Sequence, residues 1–384
     1  MYYRTVFFLF FISINLLAQT PSERLETLVS INSGSENIAG VNKVQETFKP
    51  WLEELGFKVE LIANPNGAEK SGKILSATLQ GESEKYITFS MHADTVFEPS
   101  SPFQKINKVD NNKWNGPGVI DDKGGLVVMY LALKDYLVKN KKPKYSLRVL
   151  VTPNEEVGAI GFWEMFEEFS KDSWMVLGLE PSHENGIVHS RKGNRWIEIT
   201  VVGKEAHAGR HHQDGINACR ILAEKLVEIS KLTDYKKEVT VSVGHMEGGQ
   251  DKFNIVCGTA KAKVDTRSPS WEKRNELVAK IDKILKDPRI SYIIDDETKP
   301  FSMNKLSKKY VEQYLETIKK VEGVKPLAHA SGGTGDCNHF SREGIVIIDG
   351  LGPIGGEVHT EREWIDLKSI ESRAKVLSQF LKEI

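Results

Sequence analysis

Gly116-Pro-Gly-Val-Ile-Asp-Asp-Lys-Gly-Gly125 is the stretch on which the reading of this chain turns. A Gly-Pro-Gly turn leads into two adjacent carboxylates, a lysine and two glycines. The apolar run Leu126-Val-Val-Met-Tyr-Leu-Ala-Leu133 follows directly and predicts a buried helix. Asp121 and Asp122 therefore stand at or just before a helix N-terminus, where the helix dipole favours negative charge. Glycine on either side lets the backbone come close to whatever the acids hold. From these residues alone two readings are open: a helix cap, for which Asp is a favoured residue, or a pair of acids that holds a ligand.

Outward from this stretch, apolar runs of strand length end in residues that carry chemistry. Tyr86–Met91 runs into His92-Ala-Asp94, and Lys144–Thr152 into Pro153-Asn-Glu-Glu-Val-Gly158. Trp174–Leu179 ends in Glu180-Pro-Ser182, and Ile345–Asp349 in a glycine-rich loop that reaches His359. Two earlier strands, Lys58–Ile62 and Ile74–Leu79, flank the turn Asn64-Pro-Asn-Gly67 and follow helical patterns that include Leu25, Leu28, Val29 and Val44–Leu55. Helical stretches separate the strands, which predicts an α/β fold: a mixed sheet with helices on both faces. In open α/β sheets, sites form beyond the carboxyl ends of strands. His92, Asp94, Glu155, Glu156, Glu180 and His359 all fall there, and Asp121 lies in the loop after the next connection. Singly, each has a plainer role: a core histidine, a solvated acidic pair, a turn residue, a surface histidine. Four strand ends converging is the stronger observation.

A different pattern fills residues 194–300. It reads strand (Trp196–Val202), helix (Ile216–Leu232), strand (Glu238–Gly244), strand (Asn254–Thr266), helix (Trp271–Leu285), strand (Ile290–Ile294). The order βαββαβ is that of a ferredoxin-like domain. It is inserted, because the first pattern resumes after Phe301. The expected organisation is a first catalytic part (19–193), the insert (194–300) and a second catalytic part (301–384). Residues 1–18, with Arg4 before the apolar run Val6–Leu17 and small Ala18 after it, read as a cleaved signal peptide; an uncleaved anchor is the alternative. That predicts an exported protein, periplasmic or secreted, with no stable membrane span after cleavage. The 52 basic and 53 acidic residues nearly balance, and no basic tail or stripe points to nucleic acid. Cys219, Cys257 and Cys337 are odd in number and widely scattered, which predicts buried free thiols rather than disulfides or a thiolate metal site.

Two histidines and three carboxylates, with one carboxylate shared, suffice for two divalent ions. Nitrogen and oxygen donors without thiolates suit Zn²⁺, with Co²⁺ or Mn²⁺ as substitutes. Two ions about 3.5–4 Å apart can polarise a carbonyl and activate water together. Of the adjacent Glu155 and Glu156, one can bind metal while the other moves protons, and Asp94 can orient the His92 ring.

Taken in order, His92-Ala-Asp94, Gly118–Gly125, Asn154-Glu-Glu-Val-Gly158, Leu179-Glu-Pro-Ser182, Gly203-Lys-Glu-Ala-His-Ala-Gly209 and His359 resemble the co-catalytic dizinc aminoacylase/carboxypeptidase family. The likeness covers essentially the whole mature chain and is greatest to the bacterial glutamate carboxypeptidase type. It implies that His92 and Glu180 bind one zinc, that Glu156 and His359 bind the other, and that Asp121 bridges both, with a non-proline cis peptide at Asp122. It further implies that Glu155 is the general base and that Asp94 orients His92. The insert resembles the family's dimerisation domain, which implies a homodimer in which His207 reaches the neighbouring subunit's site and stabilises the oxyanion. Asn254 and Arg267 match positions that hold the substrate carboxylate, and Gly332 and Gly333 lie in a pocket loop; Thr334–His339 after them departs from the family pattern. His211 and His212 are expected on an exposed loop. The expected activity is hydrolysis of an amide bond next to a free carboxylate in a small peptide or N-acyl amino acid. The alternatives are a dipeptidase of the same mechanism and a non-catalytic carboxylate-binding member.

Overall fold

The computed structural model describes residues 19–182 and 185–384; the expected signal peptide, residues 1–18, lies outside the described residues. The chain divides into two units. One holds the chain up to His189 together with Asn304–His329 and Arg342–Ile384. The other holds Ser190–Met303 and Ala330–Ser341. Residues 330–341, which the sequence pattern placed with the second catalytic part, thus go with the insert.

The first unit is built on a six-stranded sheet. Its strand order is Lys58–Ile62, Ile74–Leu79, Tyr145–Thr152, Ser83–His92, Ser173–Gly178, Val346–Ile348. The first two contacts are antiparallel and the other three parallel. The last four strands in this order are therefore mutually parallel and end on one edge of the sheet. Tyr145–Thr152 is buried along almost its whole length, Ser146 and Arg148 included, as a strand covered on both faces is. Helix Lys123–Lys139 crosses between two of the parallel strands; Leu126, Val127, Val128, Met129, Tyr130 and Leu133 are all inaccessible. A helix apolar all round belongs in a core, and this one packs against helices Pro21–Val29 and Leu367–Glu383. A small antiparallel sheet joins Asn107–Lys108, Lys113–Asn115, Trp364–Asp366 and Gly355–Gly356, elements that the sequence pattern did not reveal.

The second unit has a four-stranded antiparallel sheet in the order Thr240–Gly248, Thr259–Ser268, Gly193–Val202, Ile290–Thr298. Helices Ala218–Ser230 and Trp271–Ile284 complete the βαββαβ chain order. Ile197, Ile199, Leu222, Leu226, Ala262 and Ile281 form its own core. The strand expected to begin at Asn254 begins at Thr259. The residues before it pair instead with the loop that carries His207: Ala208 N–H donates to the Asn254 carbonyl (2.9 Å) and Val256 N–H to the Ala206 carbonyl (2.9 Å).

The expectation of three free thiols is corrected here. Cys219 and Cys257 form a disulfide, 38 residues apart in sequence, and only Cys337 is free and buried. The Ala218 N–H donates to the Cys257 carbonyl (2.8 Å), which brings the start of a helix against the entry of a strand. Spacing along the chain does not encode such a contact. Among the described residues, no helix is long and apolar enough to cross a membrane.

Candidate metal centre

Parallel register sets the site. His92 is the last residue of its strand and lies level with Thr152, while Ser90 of the same strand lies level with Gly178. The residues that follow, Glu155 and Glu156 on one side and Glu180 on the other, are thereby carried to the same end of the sheet. Two groups of donors result, His92–Asp121–Glu180 and Asp121–Glu156–His359, each with its ligand atoms within 4.8 Å of one another. In the first, His92 Nε2 lies 3.0 Å from Asp121 Oδ1 and 3.7 Å from Glu180 Oε1. In the second, His359 Nε2 lies 3.2 Å from Asp121 Oδ2 and 3.1 Å from Glu156 Oε2. Asp121 thus serves both groups, one oxygen to each.

Asp122 occupies the N-cap position of helix Lys123–Lys139 but makes no side-chain capping bond, so the cap reading of the acidic pair does not describe what it does. The peptide bond between Asp121 and Asp122 is cis. His359 sits on a loop with a φ of 61°, a left-handed conformation few non-glycine residues adopt.

The donor set fits two zinc ions. Ligands bonded at 2.0–2.1 Å in a tetrahedron stand about 3.3 Å apart, and the measured separations of 3.0–3.7 Å bracket that value. The charges agree. Burial works against a charged His92, yet Asp121 and Asp94 hold its pKa well above the usual value. Hydrogen bonds that its ring donates to Asp121 and Glu156 raise His359 to about 10. Burial likewise opposes ionisation of Asp121, but His359 and His92 keep it well below the ordinary carboxylate range. Burial raises Glu156. Without a cation, three carboxylates crowd together and borrow protons held on the histidines.

The surrounding shell is built from residues far apart in sequence. Asp94 is fully buried and accepts from the Ser35 hydroxyl (2.6 Å), the Glu155 N–H (3.0 Å) and the Glu156 N–H (3.2 Å). Its Oδ1 lies 3.3 Å from His92 Nδ1, which also contacts the Asp94 carbonyl at 3.1 Å. One carboxylate therefore contacts both the His92 ring and the Glu155–Glu156 turn. Buried Lys123 donates to the Ile31 carbonyl (2.8 Å), and burial lowers its pKa to about 7 despite the pull of Glu363 and Asp94. Glu363, 1% exposed, accepts from the N–H groups of Gly118 (3.2 Å), Ile120 (3.0 Å) and Asp121 (3.3 Å). Burial and the nearby Asp121 charge raise its pKa, and the three N–H groups pull it back. Ser35 and Glu363 were missed in the sequence. Neither carries a signal in the sequence: Glu363, four residues after His359, stands beside the exposed acids Glu357 and Glu361.

His207, Asn254, Arg267, Gly332 and Gly333 belong to the second unit. The exposed His207 accepts at Nδ1 from the N–H groups of Gly209 (3.1 Å) and Arg210 (3.2 Å). With Nδ1 taken up as the acceptor, Nε2 is the ring nitrogen left to donate. Asn254 is exposed beside it, on the paired segment. Arg267 Nε is held by Asp265 (3.0 and 3.1 Å). Gly332 and Gly333 lie on an exposed stretch where a Cβ at Gly332 would meet open space. His211 pairs with Asp214 (3.4 Å) and both it and His212 are exposed, as expected.

Known proteins resemble this chain over most of its length. Residues 88–383 match the model of peptidase family M20/M25/M40. The chain is 23% identical to carboxypeptidase G2 of Pseudomonas sp. (strain RS-16), covering 94% of this chain and 88% of that protein. It is 24% identical to succinyl-diaminopimelate desuccinylase of Pelagibacter ubique, covering 86% of this chain and 91% of that one. The solved structure of aminopeptidase PepT from Bacillus cereus has the same fold, with a TM-score of 0.77 at 22% identity over 94% of this chain and 97% of its own. Two three-ligand groups sharing one aspartate, on a chain matched over most of its length, lead to one conclusion: the chain belongs to peptidase family M20/M25/M40 and is a zinc-dependent hydrolase of that family.

Proposed function

We propose that this enzyme cleaves an amide bond next to a free carboxylate, releasing a C-terminal residue or removing an N-acyl group from an amino acid. The observation that carries the proposal is the sharing of Asp121 between two donor groups beside the adjacent Glu155. One relative is named a carboxypeptidase and another a desuccinylase, and both names describe breaking an acyl–nitrogen bond.

In this reading His92, Asp121 and Glu180 would hold one ion, and Asp121, Glu156 and His359 the other. Two divalent ions bound there supply positive charge that polarises a carbonyl and acidifies water. Glu155 takes the proton of the attacking water and delivers it to the leaving nitrogen as the C–N bond breaks, so that water ends divided between a new carboxylate and a free amine. Asp94 keeps the His92 ring in place. His207, through Nε2–H, donates to the carbonyl oxygen as negative charge develops there. Arg267 offers its guanidinium fork to the substrate carboxylate, while Asn254, Gly332 and Gly333 line the same recognition surface.

The remaining parts of the proposal are a homodimer, with His207 acting on the neighbouring subunit, and export. A disulfide supports export, because disulfides persist in oxidising compartments. The test is a substrate panel that varies one side of the amide at a time. N-acyl amino acids and short peptides with a free carboxylate should turn over; chelation should stop the reaction and Zn²⁺ restore it. Equal turnover of substrates whose carboxylate is blocked as an amide would refute the proposal. Turnover confined to dipeptides would assign the dipeptidase activity instead.

A further inference from the structure

We propose that Glu363 and Asn115 form a clasp that sets the relative positions of Asp121 and His359, which makes both of them positioning residues for the metal centre. The inference rests on the reading of the two donor groups as a metal site. Asp121 and His359 lie on loops more than two hundred residues apart in sequence, yet both must present an atom to one ion. Hydrogen bonds between these loops run in both directions. From the later loop, the Glu363 carboxylate accepts the N–H of Gly118 on one oxygen and those of Ile120 and Asp121 on the other. From the earlier one, Asn115 Nδ2 donates to the carbonyls of Glu361 (3.1 Å) and Glu363 (2.7 Å), and the Gly116 N–H donates to the Glu363 carbonyl (3.2 Å).

The chain links these bonds directly to the ligands. The N–H of Asp121 itself is one of the three that Glu363 receives. On the other loop, the Glu363 N–H donates to the Thr360 carbonyl (3.0 Å) and the Thr360 N–H to the Glu357 carbonyl (3.3 Å), folding the segment around His359. The short strands Lys113–Asn115 and Trp364–Asp366 pair alongside and fix the register, Asn115 opposite Trp364. A carboxylate this buried is costly unless its oxygens are used, and here both are, by three backbone donors around one metal ligand. Glutamine at this position has one carbonyl oxygen and therefore turns an NH₂ toward at least one of those donors.

The experiment is zinc binding to the full chain, by competition with a chromophoric chelator, together with thermal unfolding of the metal-free protein. Glu363→Gln should weaken both ions by about 10–100-fold, the range seen when a partner behind a ligand is lost, because both ions share Asp121. Asn115→Ala, on a half-buried side chain, should weaken chiefly the ion held by Glu156 and His359, so its two binding steps separate. Unchanged zinc affinity in a folded Glu363→Gln chain, with only a lower Tm, would overturn the proposal in favour of a purely structural anchor. If Glu363→Gln does not fold, Asn115→Ala decides: equal loss at both ions, or none, overturns it. A wild-type chain that takes up no zinc would refute the metal-centre reading and the clasp with it.

Discussion

Replacing Cys219 and Cys257 together by serine should cost the second unit much of its stability. The disulfide closes a loop of 38 residues. The chain-entropy relation gives about 13 cal/mol/K for a loop of that length, or about 4 kcal/mol at room temperature. For a unit of this size that corresponds to a drop in Tm of roughly 10–20 °C. The bond also lies where it matters locally. Cys257 ends the segment 254–257, which pairs with residues 206–208 on either side of His207. Loosening it should therefore free the His207 loop before the whole unit unfolds. The assay is calorimetry of the oxidised chain, the same chain with dithiothreitol, and the Cys219→Ser/Cys257→Ser variant, with thiols counted in denaturant. Oxidised protein should show one reactive thiol, Cys337, and reduced protein three. Three thiols in protein recovered from an oxidising compartment, or a melt indifferent to both reduction and substitution, would refute the reasoning.

Other outcomes follow from the site. In the metal-free protein His92 and His359 hold protons at neutral pH, since both pKa values are raised, His359 to about 10. Zinc uptake at pH 7 should then release protons, and affinity should climb with pH; calorimetric heats that do not depend on the buffer's ionisation enthalpy would exclude this. By the same sign, the His359 bonds stabilise the metal-free fold fully below about 6.5, the unfolded value, and the contribution is lost as pH rises through about 10. Glu155→Gln should lower kcat by about 10²–10⁴-fold with zinc content intact, and a variant with normal kcat would remove it as the base. His207→Ala should lower kcat by about 10²-fold or more with little change in KM, while Arg267→Lys should raise KM for free-carboxylate substrates, because a point charge does not replace a planar fork; the reverse pattern would exchange these roles. Ser35→Ala removes a 2.6 Å bond to buried Asp94 and should cost about 1.5–3 kcal/mol in urea unfolding; a neutral substitution would show that the bond is not formed in solution.

The large elements were legible because their signals are local. Lys58–Ile62 alternates charged and apolar residues before the Asn64–Gly67 turn, Ile74–Leu79 is a largely apolar run after it, and both fold with those bounds. Helix Lys123–Lys139 declares itself by being apolar on every side. What escaped was short or distant. Strands of two or three residues, such as Lys113–Asn115 and Trp364–Asp366, are too brief to show a period and exist only because each has the other as a partner. The same holds for Cys219 and Cys257. Their bond depends on a helix start meeting a strand entry, a tertiary fact. The strand start at Thr259 rather than Asn254 has a similar cause: the apolar Ile255-Val256 is drawn into pairing with residues 206–208 before the sheet begins.

The site divides along the same line. The five residues of the two donor groups all sit at or just beyond strand ends or at a helix start, places that a parallel sheet gathers whatever the sequence between them. Topology alone therefore made them readable. The groups that hold them were not readable, because nothing in their neighbourhood announces a task. Ser35 precedes every motif, and Glu363 resembles the exposed acids Glu357 and Glu361 beside it. Only in three dimensions do they differ, Ser35 as a donor to Asp94 and Glu363 as an acceptor for the Asp121 turn. Ligands are fixed by where strands end; their geometry is fixed by buried hydrogen bonds that close long loops.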